Sequence, residues 1–113
     1  MSPAYRAPKG PARHERPAID EAGLAAARAA DRMLAEAIER QSARWVTYLD
    51  PIPDLLRDGE IAELRRICMR ARAAYGPKDS IRDVLSASVT EPFLELIDRL
   101  LRELNRRDAA GQG

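Results

Sequence analysis

The chain reads as an all-α protein. A long helix folds back on a second as an antiparallel hairpin, two C-terminal helices close a small bundle, and the whole assembles with copies of itself. Three observations predict this. Residues 20–49 hold no proline, only one glycine (Gly23, in the first turn), and the run Ala25-Ala26-Ala27-Arg28-Ala29-Ala30 of strong helix formers. Apolar residues recur at three- and four-residue steps over most of the chain. The interruptions carry helix-stopping or helix-starting chemistry: Asp50-Pro51-Ile52-Pro53-Asp54, Asp58-Gly59, Gly76-Pro77 and Thr90-Glu91-Pro92.

Residues 1–17 carry Pro3, Pro8, Pro11 and Pro17 and almost nothing to bury, which predicts a disordered tail. The tail is basic, with Arg6, Lys9, Arg13 and Arg16 against Glu15. A single helical domain is expected over 18–107, and 108–113 should fray.

Asp20 suits the N-cap of the first helix, and Glu21 is well placed against its dipole. A helix over 20–49 would be about 43 Å long, whereas a 100-residue globule has a radius of gyration of about 13 Å. Such a rod needs cover from another chain. Leu24, Ala27, Asp31, Leu34, Ile38, Gln41, Trp45 and Tyr48 repeat with the 3.5-residue period of helices wound around each other, so this seam is expected to pair copies into a dimer or ring. Asp31 and Gln41 interrupt it and would select register or partner number. With the face rotated instead, Met33 and Ala37 turn inward and those two polar residues sit at the edge.

Proline at 51 and 53 stops the first helix. Leu55 and Leu56 form a short turn in the bend, where a partner would dock. The second helix runs from about Glu60 to Tyr75 with Ile61, Leu64, Cys68, Ala71 and Tyr75 on one side, and ends at Gly76-Pro77. A short third helix, capped by Ser80 with Asp83 three residues on, carries Ile81, Val84 and Leu85. The last starts at Thr90-Glu91-Pro92, with proline in its first turn, and runs to about Arg107 with Phe93, Ile97, Leu100 and Leu104 inward.

Charge is balanced, 19 cations against 18 acids, which argues against a protein that coats DNA by bulk charge. The one cysteine excludes an intramolecular disulfide and a cysteine-based zinc site. The one histidine, His14, lies in the tail, where no catalytic pair can be held in register. Cys68 falls on an apolar face as a small core residue. The acids of the first bend lack the spacing of a calcium loop, and Gly76-Pro77-Lys78-Asp79-Ser80 lacks the spacing of a phosphate loop. No catalytic residue, cofactor or metal is expected. No secretory signal or membrane-spanning run is readable, which predicts a cytoplasmic protein without membrane contact.

Arg65, Arg66, Arg70 and Arg72 give the second helix a basic outer face, and with the tail cations they are the candidate contacts for DNA or an acidic partner. A helix-turn-helix drawn over Ile81 to Leu101 would place Glu91, Phe93 and Glu95 against phosphates, which is poor chemistry for the major groove. In outline, residues 20–107 resemble the small terminase subunit of phage-type DNA-packaging machines: a long helix folded back on a second, self-assembly and charged ends. That resemblance implies a ring that binds DNA and engages a large motor subunit. It assigns no residues here, and no DNA-reading helix-turn-helix precedes the long helix. The expected function is therefore a non-catalytic, oligomerising adaptor for a larger protein partner. The alternative is a nucleic-acid-associated protein of the small-terminase kind, and a third class is an antitoxin or inhibitor.

Overall fold

The computed structural model describes residues 12–112, with side chains through 106, and no strand occurs among the described residues. A 3-10 turn, Arg13–Glu15, leads into α1 (Pro17–Glu39), α2 (Ala43–Leu49), α3 (Ile52–Asp58) and α4 (Ile61–Ala73). A second 3-10 turn, Ile81–Asp83, precedes α5 (Ala87–Gln112).

The long helix expected over 20–49 is divided at Arg40-Gln41-Ser42. Gln41 adopts a left-handed conformation (φ 56°). Its N–H donates to the Ile38 carbonyl and that of Ser42 to the Ala37 carbonyl, each at 3.0 Å, which closes the helix end as glycine ordinarily does. No glycine or proline marks this break. It exists because the redirected α2 carries Trp45 and Leu49 into the core, leaving them 3% and 1% exposed. The rod is thus shortened and its inner face is covered by its own chain, and the molecule has a radius of gyration of 15.4 Å.

Pairing of the helices differs from the expected hairpin. α1 packs chiefly against α5 and α3, while α4 lies on α5 and α3. The reason is in the side chains. α1 buries Ala22, Gly23, Ala26, Ala27, Ala29, Ala30, Met33 and Ala37, a face too shallow to fill a core alone. α5 brings Phe93, Ile97, Leu100 and Leu104, all buried, up to that shallow face. Each large apolar side chain so covered contributes roughly 1.5–3 kcal/mol. The second helix has only Leu64, Cys68 and Ala71 fully inward.

α5 begins at Ala87, ahead of the expected Thr90, so Pro92 is interior to the helix. Ser86 fixes this start. Its N–H and Oγ–H donate to the two carboxylate oxygens of Glu36 on α1, at 2.6 and 2.7 Å. Its own carbonyl accepts from the N–H groups of Val89 and Thr90. A long-range contact, rather than the local Thr-x-Pro signature, therefore sets the helix N-terminus. At the other end α5 passes Arg107 and continues to Gln112. The Ser80 cap is as expected: the Arg82 N–H donates to Ser80 Oγ (3.1 Å) and the Ser80 N–H to Asp83 (3.2 Å), although the turn they close is 3-10 rather than α.

Candidate interaction surface

The seam expected on the first helix is split by the turn at Gln41. Ala27 and Trp45 are buried within the chain, and Leu24, Leu34 and Tyr48 are half-buried. Asp31 is exposed and paired with Arg57 of α3 (2.7 Å), and Gln41 occupies the exposed turn. The inward face is the rotated one, with Met33 and Ala37 sealed. Two seam residues one turn apart, Leu34 and Ile38, are left along the outer edge of α1, and Ile38 is 57% exposed. In the bend, Leu56 is buried beneath α1, so it is a core residue and not a docking one; Leu55 is half-buried.

The four arginines of α4 divide into two pairs. Arg65 donates to Asn105 Oδ1 (2.6 Å) and Arg72 pairs with Asp98 (3.1 Å), so both bind α4 to α5. Arg66 and Arg70 lie on the outer side, exposed, and neither has an acidic partner among the described residues. Between them in sequence stands Met69, 56% exposed. Helical geometry explains the division: at 100° per residue Arg65 and Arg72 share the flank toward α5, while Arg66 and Arg70 lie about 100–160° further around.

Arg70 also belongs to an arginine–aromatic ladder between α2 and α4. Its guanidinium lies 4.6 Å from the centre of the Tyr48 ring, and the Tyr48 hydroxyl donates to the Arg70 carbonyl. Tyr48 meets Trp45 edge to face, with centroids 5.3 Å apart at 69°. Arg44 caps the far end, 4.7 Å from the Trp45 ring centre. Arg44-Trp45 and the i,i+3 pair Trp45/Tyr48 are visible in sequence, but nothing in the sequence places Arg70 on Tyr48.

Of the tail cations, Arg6 and Lys9 lie outside the described residues. Arg13 is not in a loose tail. Its side chain is 10% exposed and pairs with Asp20 at 2.7 Å. Its Nη1 donates to the Gly59 carbonyl at 2.8 Å. Arg16, half-buried, donates to the Glu15 carbonyl. Arg13 is therefore committed within the chain, whereas Arg16 makes only this local bond.

Cys68 is fully buried, and burial pushes its thiol up to about 12 despite the nearby Arg65 charge, so the thiolate nucleophile is not formed at neutral pH. His14 stands exposed in the first 3-10 turn. Among the described residues no His, Cys, Asp and Glu cluster has the geometry to hold a metal ion, and no helix is long and apolar enough to cross a membrane. Comparison with family models, curated proteins and solved structures finds no match.

Proposed function

We propose that this protein is a non-catalytic, oligomerising helical adaptor that joins copies of itself through the outer edge of α1 and offers its other faces to a larger protein partner. The observation that carries the reading is Ile38, more than half exposed on a stable helix one turn from half-buried Leu34. Covering that edge with its own copy removes apolar surface from both partners, each buried CH₂ contributing about 0.8 kcal/mol. Two-fold symmetry presents the same edge twice.

Native mass spectrometry tests the assembly. The wild-type chain is expected as a dimer or larger ring at micromolar concentration, and Leu34→Glu/Ile38→Glu as a monomer with unchanged helical circular dichroism. A wild-type chain that stays monomeric under those conditions sinks the self-assembly reading.

The nucleic-acid reading, small-terminase-like, keeps one specific support: Arg66 and Arg70 lie on one face with no acidic partner among the described residues. It predicts duplex binding whose affinity falls with salt by a log–log slope of roughly −0.9 per phosphate contacted, and which Arg66→Glu/Arg70→Glu weakens.

A further inference from the structure

We infer that the outer face of α4, together with the α2 end of the arginine–aromatic ladder, is a docking site for an acidic, amphipathic helix of the partner protein. This gives the adaptor reading a partner chemistry and rests on its protein-binding half.

Three features of the face point to that occupant. The first is charge. Arg66, Arg70 and Arg44 are exposed without an acidic partner among the described residues, and Arg70 and Arg44 stand at the two ends of one arginine–aromatic ladder. The neighbouring acid Glu63 turns back as a helix cap to the Glu60 N–H (3.3 Å). The second is apolar surface. Met69 is 56% exposed, and Ala62 and Ala73 are exposed on the same side of the helix. A phosphate backbone gains nothing from a thioether and two methyl groups, whereas a helix bearing leucine beside glutamate satisfies both kinds of group.

The third is preorganisation. Arg44 and Arg70 are stacked on Trp45 and Tyr48, so their side chains are already held before a partner arrives. A stacked guanidinium keeps its in-plane N–H donors available for bidentate contact with a carboxylate. Less conformational entropy is then lost on binding than for a free arginine. Arg66 and Arg70 are four residues apart, which matches glutamates at i,i+4 on an opposing helix.

The probe is a synthetic helical peptide with glutamates at i,i+4 flanking leucines and no tryptophan, titrated into the full chain. Trp45 is the only tryptophan, so its emission reports the Arg44 end of the site directly. Saturable binding is expected, with a change in Trp45 emission. Arg66→Glu/Arg70→Glu should weaken it by about tenfold or more, as loss and reversal of two charge contacts would. Met69→Ser should weaken it by roughly threefold through lost apolar contact. Two results overturn the inference: unchanged affinity in the arginine variant, or equal affinity for a leucine-free glutamate peptide or duplex DNA of the same charge, which would define a simple polyanion site. Failure of self-assembly is read separately. Leu34→Glu/Ile38→Glu should retain peptide binding, and an assembling wild-type chain that ignores the peptide defeats this inference alone.

Discussion

The two ends of α1 are fastened to the rest of the molecule by opposite charges. At the N-terminal end a guanidinium does it: Arg13 lies over Gly23, its Nε 2.7 Å from Asp20 and its Nη1 2.8 Å from the Gly59 carbonyl at the end of α3. At the C-terminal end a carboxylate does it: Glu36 receives the Ser86 N–H, the Ser86 hydroxyl and the Arg40 Nε–H (3.0 Å), tying α1 to the start of α5. The second fastening is complete. In the first, Arg13 Nη2 is buried without a hydrogen-bond partner among the described residues. A stranded buried donor costs about 1–3 kcal/mol, and glycine inside a helix about 0.5–1 kcal/mol relative to alanine. The N-terminal end tolerates both, so its hold depends on space as well as partners. Gly23 supplies that space.

Filling it should weaken the N-terminal fastening more than any other single change. A Cβ at position 23 would stand 2.6 Å from Arg13 Nη2 and 3.2 Å from the Leu56 carbonyl oxygen. Gly23→Ala should therefore lose about 2 kcal/mol through overpacking and displacement of the guanidinium, against its gain in helix propensity. With Arg13→Ala already present the main obstacle is gone, and the same substitution should be near neutral or stabilise by about 0.5–1 kcal/mol. Urea unfolding of the four-member cycle measures the coupling. Equal destabilisation in both backgrounds would mean that Arg13 is not the reason for the glycine.

The C-terminal fastening should yield less and with a different pH signature. Glu36→Gln keeps the shape but weakens charge-assisted bonds, an expected loss of about 1 kcal/mol at neutral pH. The hydroxyl and then the backbone N–H of Ser86 hold the Glu36 carboxyl below its ordinary 4.5. Hydrogen bonds from Arg82 and Thr90 hold Glu91 at about 2. Both folded-state values lie below the unfolded one. Their contributions are thus complete above about pH 4.5 and are lost as pH falls through the folded values. Wild-type stability should decline from about pH 4.5 toward pH 2, and the decline should be shallower in Glu36→Gln. An identical acid limb in both proteins would show that the Ser86 bonds do not discriminate the ionised form.

Much of this was readable from the sequence wherever short-range chemistry decides the outcome. The all-helical class, the breaks at Pro51 and Gly76-Pro77, the Ser80–Asp83 cap and the inward face of α5 follow from periodicity and turn residues. The failures share a cause: a distant group decided them. Ser86, and not Pro92, starts α5 because Glu36 lies fifty residues away in sequence and close in space. Arg13 reads as a tail cation until Gly59 and Asp20 are brought to it. Half of the arginine face on α4 is spent on Asn105 and Asp98, which a helical wheel of α4 alone does not contain. The outer half, Arg66 and Arg70, was legible because no carboxylate among the described residues pairs with either, although the stacking of Arg70 on Tyr48 was not.

The turn at Gln41 is the subtlest of these, and it sharpens the contrast between the ends of α1. Here the backbone is satisfied and the strain is conformational, since an L-residue in the left-handed region costs about 1–2 kcal/mol. Gln41→Gly should relieve it, with part of the gain offset because glycine also frees the unfolded chain by about 0.4–1 kcal/mol. A net gain of about 0.5–1 kcal/mol in urea unfolding is expected. Asp79, with φ 53°, is an internal control in the loop after α4. Aspartate occupies the left-handed region more readily than glutamine, because its short side chain can hydrogen-bond locally. Asp79→Gly should therefore gain less than Gln41→Gly. If the order is reversed, or Gln41→Gly destabilises, the Gln41 side chain contributes contacts that outweigh its backbone strain, and the break between α1 and α2 is then held by more than the two hydrogen bonds to Ala37 and Ile38.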